Sequence, residues 1–216
     1  MKNLDAYLRR KGVYLVDLVT PNCLPGRLIK IHYFWKFGDI GPESVLQDDR
    51  GSASTLPGIP ALGISPLVPS SLYVENITDQ FQISAGTGLP QYGLTATANI
   101  QHGVTASLTI SNIDTRTFDD ATLNVLYTTV LPTLRNLGRS DPHKWLQECF
   151  LVKEAFFVKS LSATVHTAGN ISGQAAFTQA GVTASGNFAL TWNNDHELTL
   201  VGNAEVPFAV RGDGLG

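Results

Sequence analysis

Two long stretches of this chain contain no Asp, Glu, Lys or Arg: one runs from Gln80 to Ile113, the other from Ser160 to Asn194. Roughly 35 consecutive uncharged residues is unusual for soluble surface structure, where about a quarter of residues are normally charged. Each stretch is long enough for two strands of about ten residues and a turn, the length that crosses a bilayer twice. Within the first stretch, Leu94, Ala96, Ala98, Ile100, Val104, Ala106, Leu108 and Ile110 fall on even positions, joined by His102. Thr95, Thr97, Asn99, Gln101, Thr105, Ser107 and Thr109 fall on odd ones. This is period-two alternation over about three times a typical strand length. In the second stretch Leu161, Ala163 and Val165 alternate with Ser162, Thr164 and His166. Further on, Val182, Ala184, Gly186, Phe188, Leu190 and Trp192 alternate with Thr183, Ser185, Asn187, Ala189 and Thr191. One face of these strands is apolar; the other carries Thr, Ser, Asn and Gln where a solvated sheet normally carries Lys and Glu. An uncharged polar face suits a strand that lines a water-filled lumen.

The rest of the chain narrows the class. With 216 residues and 43% hydrophobic content it can bury a sizeable core, which excludes intrinsic disorder. Two cysteines, Cys23 and Cys149, are too few for a disulfide scaffold or a structural zinc site, and fit a reducing compartment. The net charge of −3 gives no reason to expect nucleic acid. Charge is nevertheless uneven: residues 1–36 hold seven Lys and Arg against two Asp. No signal peptide, transmembrane helix or N-terminal lipidation motif is read, so the expectation is a chain made in the cytoplasm.

The elements expected are a short basic helix ending at Gly12, strands at Val13–Val16 and Leu28–Phe37, and mostly loop over 38–71. A strand through Ile77, Phe81 and Ile83 follows, then the long alternating strand. Residues 118–137 have a helical pattern, with Leu123, Leu126, Tyr127, Val130 and Leu134 on one face and Pro132 kinking or dividing it. Ser140 is expected to cap a second short helix with Pro142 in its first turn and Trp145 and Leu146 inward. Cys149–Val158, Leu198–Val201 and Pro207–Val210 complete the strands.

No catalytic pattern is present. The five histidines are scattered without metal-ligand spacing, and Gly86-Thr87-Gly88 is not followed by a helix. No enzyme, metal site or cofactor is expected. The membrane signals are stronger. In Lys30–Phe37, aromatic residues are packed among cations, and Phe34 and Trp35 between Lys30 and Lys36 fit an interfacial anchor. Arg9, Arg10 and Lys11 add a cationic turn.

In this order and spacing the chain resembles the pore-forming portion of the gasdermin family. The basic N-terminal helix comes first. The strand Lys30–Phe37 is similar to the family's membrane-touching tip, and Gly93–Ile113 to its long alternating strand. Asn136–Glu148 resembles the short helix before the second hairpin, and Phe150–Val158 the strand entering it. Ala204–Arg211 resembles the family's closing strand. The resemblance implies an α+β fold, a twisted antiparallel sheet with flanking helices, as one domain over 1–216. It also implies two hairpins, about 72–113 and 155–194, that become membrane-spanning strands of a large oligomeric β-barrel. Leu94, Ala96, Ala98, Ile100, Val104, Ala106, Leu108, Val182, Ala184 and Phe188 would then face lipid. Arg9, Arg10, Lys11, Lys30, Phe34, Trp35 and Lys36 would bind anionic lipid. The implied partners are anionic membrane lipids, further copies of the chain in a ring or arc, and an activating protease acting on a longer form with a C-terminal inhibitory segment. The protein would be cytoplasmic when inactive and at the cell membrane when active, with cell death and antiviral defence as the outcome. The compact length resembles the bacterial or fungal branch, whose bacterial members often carry a lipidated cysteine near the start that this chain lacks. The competing expectation is a non-lytic β-sandwich binding module or fibre or coat subunit.

Overall fold

The computed structural model describes residues 8–15, 23–34, 43–72, 74–79, 88–89, 94–96, 105–166, 177–179, 188–194, 197–202 and 207–216. The chain divides into two compact units, one built from 1–11, 69–114 and 157–206, the other from 12–68, 115–156 and 207–216.

The second unit holds the helices and an antiparallel sheet. Strand β1 (Tyr14–Leu15) pairs with β13 (Ala209–Gly214), and β13 with the first part of β9 (Cys149–His166). On the other side of β9 lie β2 (Arg27–Phe34) and then β3 (Glu43–Ser52). Cys149–Phe157 is nearly continuous in apolar residues, and Leu151, Val152, Phe156 and Phe157 are all fully buried, the pattern of a strand covered on both faces. Leu28 and Leu151 from the sheet pack with Leu126, Val130, Leu131 and Leu134 from the helices, and Leu146 and Leu215 close the cluster.

The helical run is interrupted. Asp119, in extended backbone, caps α1 (Asp120–Val125) by accepting the Thr122 N–H at 2.8 Å. A π-helical turn, Leu126–Val130, follows, and then α2 (Leu131–Gly138) with Pro132 in its first turn. The Leu131 N–H reaches back to the Leu126 carbonyl, so the wider turn absorbs the proline without breaking the run. It also changes the buried face. Thr122, Leu126, Val130 and Leu134 are inward at steps of four, whereas the expected Leu123 and Tyr127 are exposed. The extra residue in the π turn offsets the drift that a 3.6-residue period imposes on steps of four.

The carbonyl and N–H of Gly63 accept from Asp119 N–H and donate to Thr122 Oγ1, fixing the loop against the start of α1. The hydrogen bonds from Thr122 lower the Asp119 carboxyl below its usual range. A carboxylate with a lowered folded pKa stabilises the fold above the ordinary carboxylate range and loses that contribution as pH falls through the lowered value. Asp119→Asn keeps an acceptor for the cap and removes the titration. Its urea midpoint should therefore fall less between pH 5 and pH 3 than that of the parent chain.

Other boundaries differ from the sequence reading. Residues 43–52, expected as loop, form β3, which among the described residues pairs only with β2. The Ser140 hydroxyl does not cap a helix; it donates to the Leu137 carbonyl at 2.9 Å and helps end α2. Pro142 lies in the turn before a 3₁₀ helix, Lys144–Glu148, in which Leu146 is buried and Trp145 packs on the core cluster, as expected. The closing strand starts two residues later than expected and extends to Gly214. Its bulge lies between Arg211 and Gly212.

Cys23 and Cys149 are buried free thiols. Burial pushes Cys23 up to about 12, Asp49 adding to it and Arg27 opposing. Burial likewise pushes Cys149 up to about 11, against Arg50. Both should resist a thiol reagent at neutral pH in the folded chain and react in urea, where a thiol titrates near about 8.5. Among the described residues no helix is long and apolar enough to cross a membrane.

Candidate membrane-inserting strands and lipid contacts

The first unit carries the two charge-free stretches, and the register of their strands with β5 and β12 turns alternation along one chain into rows across several. Strands β4 (Val68–Pro69) and β5 (Val74–Asp79) both pair with β8 (Thr105–Thr117), and Ile77 stands opposite Leu108 and Thr78 opposite Ser107. Strand β9 continues into this unit as far as His166, so the apolar run and the alternating run expected as separate segments are one strand. Its residues Ser160–Thr164 pair with β12 (Glu197–Gly202), and β12 pairs with β11 (Phe188–Trp192). Positions 161, 200 and 190 form one row of leucines, and Ala163, Leu198 and Trp192 form the next on the same face. The other face has the row Ser162, Thr199, Thr191, with Ala189 and Val201 as its apolar members; Thr191 is exposed. Hydroxyl pairs across strands each contribute a few tenths of a kcal/mol up to ~1 kcal/mol, without any charge.

The pairing differs from two self-contained hairpins. In the second block β9 and β11 are not partners; β12, from beyond the block, lies between them. The alternation Leu198-Thr199-Leu200 already marks β12 as the same kind of strand, but an alternating pattern does not name its hydrogen-bonding partner. The two blocks also meet: β7 (Leu94–Ala96) pairs with β6 (Gly88–Leu89) on one side and with β10 (Phe177–Gln179) on the other. Of the expected lipid-facing residues, Leu94 and Ala96 lie in β7, Ala106 and Leu108 in β8, and Phe188 at the start of β11. Ala98, Ile100, Val104, Val182 and Ala184 lie outside the described residues, as do Trp35 and Lys36.

Residues 8–10 are one helical turn, and Gly12, at φ +68°, ends it as expected. Leu8 is buried, while Arg10 and Lys11 are exposed and Arg9 is half-buried. The turn thus holds an apolar residue inward and presents cations to solvent.

Lys30 is placed differently. It is half-buried in β2 and ion-paired with Glu148, and Asp48 stands opposite it in register. Its charge is therefore largely compensated within the fold. Phe34 is the last residue of β2. The same internal pairing recurs in the second unit: Arg27 with Asp49, Lys153 with Asp213 at 2.9 Å, and Arg211 with Glu154 at 2.8 Å. Burial works against the Lys153 charge, but its hydrogen bonds to Asp213 and to the Tyr127 hydroxyl outweigh that and raise its pKa.

No protein-family model matches the chain, and no curated protein matches it. Among solved structures it is similar to a bacterial gasdermin from Bradyrhizobium tropiciagri, with TM-score 0.50 and 15% identity over 95% of this chain and 82% of that one. It also aligns with the cryo-EM structure of the Gasdermin A3 membrane pore, with TM-score 0.35 and 13% identity over 98% of this chain and 89% of that one. The chain has a gasdermin-like fold.

Proposed function

We propose that this chain, 1–216, is a single pore-forming domain that oligomerises in a lipid bilayer and permeabilises it. The observation that carries the reading is the row structure of β9, β12 and β11: leucine and other apolar positions on one face, hydroxyl positions on the other, with Glu197 as the one charged residue in the paired register Ser160–Thr164, Glu197–Val201 and Phe188–Trp192. Strand length supports it. A bilayer crossing takes about 9–11 residues. Within the hairpin regions β8 supplies 105–113 and β9 supplies 155–166, each long enough for a crossing. The gasdermin-like fold supports it independently.

In this reading the hairpin regions 72–113 and 155–194 re-pair on insertion, their apolar faces meeting lipid and their hydroxyl faces lining a lumen. Many copies close a ring or arc. The chain is cytoplasmic before insertion and at the inner or plasma membrane afterwards, and permeabilisation kills the cell, a form of pyroptosis serving antiviral defence. A longer form of the protein would be released by a protease. No catalysis, cofactor or nucleic acid takes part.

Anionic lipid is the proposed surface partner, with Arg9, Arg10 and Lys11 as contacts and the Phe34–Trp35 tip as the interfacial anchor. Lys30 contributes little, because Glu148 already balances it. A cation near an anionic surface contributes about 1 kcal/mol. Replacing the exposed Arg10 and Lys11 together by Gln should therefore weaken co-sedimentation with phosphatidylglycerol vesicles by about 30-fold at low salt. Unchanged co-sedimentation would remove this turn from the lipid contact.

A further inference from the structure

The alternation of β8 has one break. Through Ala106, Leu108 and Ile110 the apolar positions are even, and Ile110 is buried, with 4% of its surface exposed. Continued alternation would turn position 112 inward. Asn112 is exposed instead, and beyond it Ile113, Asp114 and Thr115 are all buried, Ile113 at 6%. The cause is in the backbone: Asn112 has φ +55°, and it is the one non-glycine residue in the left-handed region among those described. Asparagine tolerates that region better than other side-chain-bearing residues, whereas a β-branched residue is strongly disfavoured there. A left-handed residue within an extended run shifts the phase of every position beyond it. The partner run clamps the bend from both sides. The Ser70 N–H donates to the Ile113 carbonyl at 2.8 Å, Val74 pairs with Ile110, and the β5 register slips between Val74 and Ile77.

We propose that Asn112 is a face switch for this strand. In the left-handed state Ile110 is buried together with Ile113, and strand alternation puts positions 106 and 108 on the side of 110. If Asn112 extends, those positions turn to the opposite side relative to Ile113, and 105, 107 and 109 take their place. Because strand side chains alternate strictly, one backbone dihedral moves the whole apolar set. The inference rests on the pore reading for its purpose: the same apolar face must be covered in water and exposed in lipid. The switch itself is a property of the strand.

The test places Ile110→Cys in four backgrounds: the native Asn112, Asn112→Gly, Asn112→Ala and Asn112→Val. Maleimide labelling is measured on each folded chain without lipid. Glycine accepts the left-handed state freely; alanine and valine do not. Labelling at position 110 should be about 5- to 30-fold faster with Asn112→Val than with Asn112→Gly, with Asn112→Ala between them. Cys23 and Cys149 should stay unlabelled throughout, reporting that the core is closed. Equal rates at position 110 would overturn the switch. So would a rise accompanied by Cys149 labelling, which is general loosening. If the valine variant does not fold, the alanine variant carries the same comparison. Dye release from phosphatidylglycerol vesicles, run on the same Asn112 variants with native Ile110, separates the two claims. Sealed vesicles with a graded labelling series would end the pore reading and keep the switch. Leakage with flat labelling would end the switch and keep the reading.

Discussion

Leu108→Lys should abolish vesicle leakage, while Ser107→Lys should leave most of it. Positions 108 and 107 are adjacent in β8, in register with 77 and 78, so strand alternation assigns them to opposite faces of the ladder. A lysine at the bilayer midplane costs about 2–4 kcal/mol on the lipid face of a barrel and little in the lumen. Every subunit of a ring carries that cost, so the effect on assembly is the single-subunit cost multiplied by the subunit number. The same contrast is expected between Leu200→Lys and Thr199→Lys, neighbours in the leucine and hydroxyl rows of β12. Circular dichroism and urea unfolding of each variant separate failed insertion from failed folding. If both members of each pair leak like the parent chain, β8 and β12 do not cross the bilayer, and the assignment of these strands to the pore wall fails.

Gly212→Ala should destabilise the chain by about 3 kcal/mol or more, among the larger effects of a single added methyl group. A Cβ at this position would lie 1.9 Å from the Leu151 carbonyl oxygen and 2.7 Å from a ring carbon of Phe150. The first of these is backbone and cannot rotate away. The bulge between Arg211 and Gly212 lets β13 approach β9 this closely, and the strand's neighbours leave it no room to retreat. Phe208, Ala209 and Val210 are buried before it, and Leu215 is buried after it. Relief of the clash therefore separates β13 from β9 and pulls on Leu215 in the core cluster. The check is urea unfolding, with Gly214→Ala as the control, since a Cβ there meets nothing within 4 Å. Equal midpoints for the two variants would show that the bulge is looser than its geometry requires.

Much of this architecture is legible in the residues, because alternation is a local signal. The strand positions 94–96 and 105–110, the buried run Cys149–Phe157 and the glycine that closes the first helical turn follow from spacing alone. Pairing is not local. Leu198-Thr199-Leu200 announces a strand, yet nothing in it says that Leu200 will lie between Leu161 and Leu190. β3 was hidden for another reason: Glu43, Asp48, Asp49 and Arg50 look like a loop until the pairing with β2 and the Arg27–Asp49 ion pair account for them. The helix face was misread at Leu123 and Tyr127 because a π turn changes the angular step, and periodicity counts assume a constant one. Lys30 shows the same limit for the candidate site. Its place among aromatic residues suggests a lipid contact, but Glu148, far along the chain, takes its charge.

Pore opening is read out by the release of size-graded fluorescent dextrans from vesicles treated with the purified 216-residue chain. Phosphatidylglycerol vesicles at low salt should lose large as well as small dextrans, release should fall as salt rises, and phosphatidylcholine vesicles should remain sealed. Phosphatidylglycerol vesicles that stay sealed with the folded chain bound to them would contradict the account.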